Sequence, residues 1–178
     1  LQKKVGDTRW DSHYGTILRL ISLFSFVVNI LEYIEEDGNN LEQKAEVCHL
    51  LNVIQSFEFI FNLHLMKNIM RVTNELSQAL QMNDQDIVNA MVLVKVSKQW
   101  LQTIRDDGWS LLLDEVSLFC DKHNITIPKI DDIFVSQGRS RRKIFYQVVD
   151  RQLQELNNHF TEVNTELLFC IACLNPQH

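Results

Sequence analysis

The chain has 178 residues, 46% of them hydrophobic and 22% charged, with a net charge of -6 and a pI near 5.5. That is enough chain for one domain with a substantial core, and the acidic balance excludes the overall basic field of a free-standing nucleic-acid binder, so any DNA contact must be local. Two prolines and five glycines are too few for a sheet-rich chain with many tight turns, and the composition predicts an all-α fold of six to eight helices in one domain spanning 1–178.

Residues 1–11 form a polar lead-in that carries Arg9 and Trp10, and a helical pattern begins near Ser12. From Ile17 to Ile34 the polar residues are isolated. This stretch predicts a buried helix that frays near Glu36, where Glu32, Glu35, Glu36 and Asp37 oppose the helix dipole ahead of a Gly38 cap. Phe24, Phe26, Val27 and Val28 are also β-prone, so a strand is the competing reading. The apolar run from Leu20 to Leu31 is well short of the roughly 20 residues that span a bilayer. No apolar leader is visible in LQKKVGDTRW, and the four cysteines have no disulfide-framework spacing, which fits a reducing, intracellular setting without membrane contact. The start at Leu1 instead of Met predicts a fragment or processed piece.

Asn40 is placed to cap the next helix, with Gln43 in the capping-box position and a buried stripe of Leu41, Ala45, Val47, Cys48, Leu51 and Ile54. Ser56 to Met82 is the longest run without Gly or Pro and predicts the central helix, capped by Ser56 with Glu58 near the positive dipole end. Its face is expected at Phe59, Leu63, Met66 and Met70, widened by Phe57, Ile60 and Phe61, and from Arg71 it is expected to narrow to Val72, Leu76, Ala79 and Leu80, with the C-terminal end reaching solvent. Asn83 and Asp84 mark a turn. A helix through Ile87, Met91, Val94 and Leu101 is expected to stop at Asp106-Asp107-Gly108, and another to run from Trp109 to His123. A loop over 124–142 breaks around Pro128, and helices over 143–176 follow, the last capped by Thr161 or Thr165 and stopped by Pro176.

Four cations fall within six residues, at Arg139, Arg141, Arg142 and Lys143, inside an acidic chain and at a helix start, where they run against the dipole. They could neutralise backbone phosphates; the alternative is a solvated loop. Trp10 beside Arg9 is either a plug on the helical core or an aromatic face that stacks on an unpaired base. Cys120-x-x-His123 and Cys170-x-x-Cys173 together have the inventory of a zinc site, but in apolar helices cysteine reads first as a small hydrophobe. No nucleophile elbow, phosphate loop or HExxH is present, and Asp106-Asp107 and Asp131-Asp132 read as turn residues. No self-contained active site is visible.

Asp7-Thr8-Arg9-Trp10-Asp11-Ser12-His13-Tyr14, the long stretches 61–91 and 153–170, and the closing Leu174-Asn175-Pro176 together resemble hAT-superfamily transposases and their domesticated plant relatives, described as zinc finger MYM-type or TTF-type zinc finger proteins. In that family an all-helical insertion interrupts a ribonuclease H-like core with an Asp, Asp and Glu metal site. The resemblance covers essentially the whole chain and implies that it is that insertion. It further implies a nuclear protein that contacts DNA ends through Arg9 and Trp10, and packs on the remainder of the transposase core. Divalent metal would be needed only in that core, so catalysis and cofactors are not expected of this chain. A homo-oligomer would form through a C-terminal region outside it. Asp11 departs from the Gly usual in relatives after the Trp, and Ser140-Arg141-Arg142-Lys143 runs almost directly into Ile144-Phe145-Tyr146 where relatives carry a longer basic and polar segment. A helical protein-interaction module with no DNA role is the rival expectation.

Overall fold

The computed structural model describes residues 9–38, 40–81, 87–128 and 141–161, without the side chains of 9–11, 80, 87 and 88. Among the described residues the domain is all-α, with six helices and no strand: α1 (Arg9–Ser22), α2 (Phe24–Asp37), α3 (Leu41–Ile54), α4 (Phe57–Leu80), α5 (Ile87–Lys122) and α6 (Arg141–His159). The turn expected at Asn83 and Asp84, Asp131-Asp132, and the helix expected after Thr161 with its Pro176 stop lie outside the described residues.

α4 is the hub, in contact with α1, α3, α5 and α6. It starts where expected, because the Ser56 side chain accepts a hydrogen bond from the Phe59 amide at 3.2 Å and Glu58 occupies the first turn. Of the expected face, Phe57, Ile60, Phe61 and Leu63 are buried and Phe59 packs on the core, whereas Met66 is exposed and the stripe runs on through Leu65, Ile69, Val72 and Leu76. The C-terminal half keeps the narrower stripe, buried at Val72 and Leu76 mainly against α5, and Asn74 is buried as well; α6 reaches this half with Gln152 Nε2 3.4 Å from Thr73 Oγ1. Among the described residues there, Glu75 and Gln78 are exposed.

The longest helix is α5, whose 36 residues pass straight through Asp106-Asp107-Gly108. The expected break does not occur: Gly108 is helical and packs against α6, where a Cβ would stand 3.5 Å from Phe145 Cζ, and 3.1 Å from Ile104 Cγ2 of its own helix. Asp106 accepts from Gln102 Nε2 at 3.0 Å, a contact one helical turn away that keeps it inside the helix. α5 ends instead at Asn124, in the left-handed region with φ 55°. The Ile125 amide donates to Cys120 O at 2.9 Å and the Asn124 amide to Asp121 O at 3.4 Å, the paired bonds of a Schellman cap, while Ile125 is buried.

The stretch from Ile17 to Ile34 is two helices meeting at 71° around Leu23. α2 is helical through its β-prone segment and continues to Asp37 without fraying at Glu36, whose carbonyl accepts from Lys44 Nζ at 2.6 Å. Gly38 is the C-cap, in extended conformation, and a Cβ there would lie 2.5 Å from Ile34 O. Asn40 caps α3 by accepting from the Glu42 amide at 2.9 Å. The stripe expected on α3 is only half right: Leu51 and Ile54 are buried, whereas Leu41 is 87% exposed and Cys48 faces solvent, since α3 packs mainly on α2. α3 also ends at Ile54 and does not continue into α4.

α4 and α5 run antiparallel, as do α5 and α6: Lys67 reaches Glu115, and Arg105 Nε donates to Asp150 Oδ1 at 2.5 Å. The aromatic core follows this layering. Trp109 stands edge-on to Phe61 and to Phe145, with ring centroids 5.9 and 5.6 Å apart.

Candidate functional site

The residues singled out from the sequence fall into separate places. Arg9 and Trp10 form the first turn of α1, which packs on α4, but their side chains lie outside the described residues. Arg139, Cys170 and Cys173 also lie outside them. Arg141, Arg142 and Lys143 make up the first turn of α6, with no acidic residue in that turn and no ion pair to any of the three among the described residues.

These three cations diverge. Arg142 and Lys143 are exposed, Arg142 lying 5.9 Å from the Tyr146 ring centroid. Arg141 turns inward, its guanidinium 5.3 Å from the Phe57 ring centroid at the start of α4. α6 runs parallel to α4, so its N-terminal turn comes to rest beside that of α4, and two positive helix ends meet.

A polar cleft of about 870 Å³ opens at this point, between the first turns of α2 and α4 and the C-terminal end of α5. Phe24 and Phe57 give it an aromatic base, both buried, and Arg141, Lys122 and His123 bring nitrogen to it. The His123 ring is held by Phe24 and Phe119, at centroid distances of 4.8 and 4.3 Å, and its Nδ1 lies 3.3 Å from Ser25 Oγ. Burial, with Lys122 adjacent, lowers the His123 pKa and favours the neutral ring.

Cys120 is wholly buried, and desolvation with Asp121 adjacent pushes its thiol up to about 11. A thiol so far from its ionised form is a poor nucleophile. Among the described residues no three His, Cys, Asp or Glu side chains gather as a metal set. Cys120 and His123 therefore meet no third ligand there.

One polar cluster was not singled out from the sequence. His64 is buried in the α4 and α5 seam with Nδ1 3.2 Å from Glu115 Oε1, off the line of a good hydrogen bond, and Nε2 without a partner. Lys67 also donates to Oε1 of Glu115, and Asn68 Nδ2 lies 3.3 Å from Oε2. Burial raises the Glu115 carboxyl, but His64 and Lys67 more than offset it and hold it down at about 2. The signal was present as polar residues at 64, 67 and 68, which share one side of a helix otherwise lined with apolar groups.

No family model matches the chain, and no solved structure matches it.

Proposed function

We propose that the chain is a helical insertion-type domain of a hAT-like transposase or of a domesticated, nuclear DNA-binding derivative. In this reading it supports a DNA-processing core and touches DNA without a catalytic site of its own. The observation that carries the reading is the first turn of α6, where Arg142 and Lys143 are exposed and unpaired among the described residues, against the helix dipole, in a chain of net charge -6. Unpaired cations in an unfavourable field are explained by a polyanion that neutralises them. Arg9 and Trp10 would supply the DNA-end contact, and any divalent metal would belong to the core that the domain supports.

The test is duplex binding by fluorescence anisotropy across a salt series. The plot of log affinity against log salt should flatten by about 0.9 for each phosphate contact removed, and so by about 1.8 in Arg142→Ala/Lys143→Ala. Absence of binding at low salt, or an unchanged slope in the double variant, sinks the reading.

The rival reading, a protein-interaction module, has its own observation. Leu23, Phe26, Ile30 and Tyr33 repeat at steps of three, four and three along α2 and are all exposed, Phe26 by 62%. Such a stripe is the face a partner helix would cover. If Phe26→Ser leaves DNA affinity intact and abolishes a protein contact of the full-length protein, this second reading gains.

A further inference from the structure

The polar cleft is built around a cation, Arg141, that makes no ion pair among the described residues. Arg141 Nε and Nη1 are shielded from solvent, and neither meets a hydrogen-bond acceptor among the described residues. The Phe57 ring, 5.3 Å from the guanidinium carbon, attracts the cation without using its N–H donors. Withdrawing such a group from water with its donors unmet is costly, and an acceptor arriving in the cleft would recover that cost.

The surroundings specify the acceptor. Lys122 lines the same cleft with no ion pair among the described residues. The first turn of the 24-residue α4, at Ser56 and Phe57, brings the positive end of a helix dipole to it. A planar guanidinium fork matches the paired oxygens of a phosphate. The volume of about 870 Å³ far exceeds one phosphate and suits a nucleotide-sized body, and Asn29, Asn52, Gln55 and Thr126 offer neutral polar groups to hold it. Glu32 and Glu58 also line the cleft and are exposed, so its two cations face two carboxylates and a single phosphate fits better than a polyphosphate.

We propose that this cleft binds a phosphate ester of nucleotide size, with the Arg141 guanidinium on the phosphate. The phosphate is carried either by a free mononucleotide or by the end of a nucleic-acid strand. The inference is separate from duplex binding, because Arg142 and Lys143 do not line the cleft.

The experiment titrates adenosine 5′-monophosphate, a 5′-phosphorylated pentathymidylate and inorganic phosphate against the full chain at constant ionic strength, reading melting temperature and tryptophan fluorescence. Saturable binding of a phosphate ester is expected. It should weaken by about tenfold or more in Arg141→Gln, as loss of a charge-assisted contact implies, strengthen in Glu58→Gln, and be unchanged in Arg142→Gln. Tighter binding of the pentanucleotide assigns the site to a strand end, and equal binding assigns it to a free nucleotide. If Arg141→Gln fails to fold, Lys122→Gln carries the same expectation of weaker binding. Absence of saturable binding by all three probes, or equal loss in Arg142→Gln, overturns the proposal.

Discussion

The Phe145 ring of α6 lies directly against Gly108 of α5, its Cζ 3.5 Å from where a Cβ would stand. Gly108 sits in the middle of a 36-residue helix, and a Cβ there would stand at ordinary contact distance from the ring. Replacing Gly108 by Ala gains about 1 kcal/mol of helix propensity and meets Ile104 Cγ2 at 3.1 Å, a half-buried side chain on the same helix that has room to shift. Gly108→Ala should therefore lie within about 0.5 kcal/mol of the parent in urea unfolding, since the two effects oppose. Gly108→Leu has no such escape against Phe145 and should cost about 1–3 kcal/mol. A Gly108→Leu variant as stable as the parent would show that α5 and α6 do not meet here.

The caps were legible in the sequence because they are local: Ser56 and Asn40 each bond within three residues of themselves. What was not legible is non-local. Asp106-Asp107-Gly108 reads as punctuation, and only the packing of α6, with Phe145 against Gly108, shows a helix that runs through it. The face of α4 shifted for the same reason. Periodicity put Met66 on the buried face and passed over Leu65, and only the positions of α5 and α6 decide that Leu65 is covered. The cation cluster was visible as a run, but the inward turn of Arg141 depends on Phe57 from another helix.

That shifted face gives a direct comparison of neighbours. Leu65→Ala should cost about 2–5 kcal/mol as a core truncation, whereas Met66→Ala should change stability by no more than about 0.5 kcal/mol. Comparable losses from the two variants would restore the stripe expected from the sequence.

The end of α5 depends on Asn124 holding a positive φ, which a β-branched side chain adopts only with strain. Asn124→Val should destabilise by about 1–2 kcal/mol, and Asn124→Gly should be neutral or slightly stabilising. Thermal melts of the two variants side by side decide it. Because the Schellman bonds carry Ile125 into the core and the following residues along the cleft, Asn124→Val should also weaken phosphate-ester binding.

Glu115 couples stability to pH. Its carboxyl is held at about 2 in the folded chain against an ordinary value of 4.5. A depressed carboxyl stabilises the fold fully above its unfolded value, and that contribution fades as pH falls from about 4.5 towards 2. With the Glu115 side chain 34% exposed, solvent screening limits the effect to about 1–2 kcal/mol. Urea midpoints taken between pH 6 and pH 3 should fall more steeply in the parent than in Glu115→Gln, a difference that vanishes if Lys67 and His64 do not hold the carboxylate.

Two cysteines of known placement should differ in reactivity. Cys48 is exposed, yet hydrogen bonding and the charge of Glu35 raise its thiol above the ordinary 9.0, while Cys120 is buried with its thiol near 11. Since the thiolate is the reactive form, iodoacetamide at pH 8 should label Cys48 slowly and leave Cys120 untouched until the chain unfolds. Removing the carboxylate in Glu35→Gln should speed the labelling of Cys48 without altering Cys120, as read peptide by peptide in mass spectrometry. An unchanged rate at Cys48 would mean that α2 and α3 do not bring Glu35 to the thiol, and the antiparallel pairing of these two helices would need a different register.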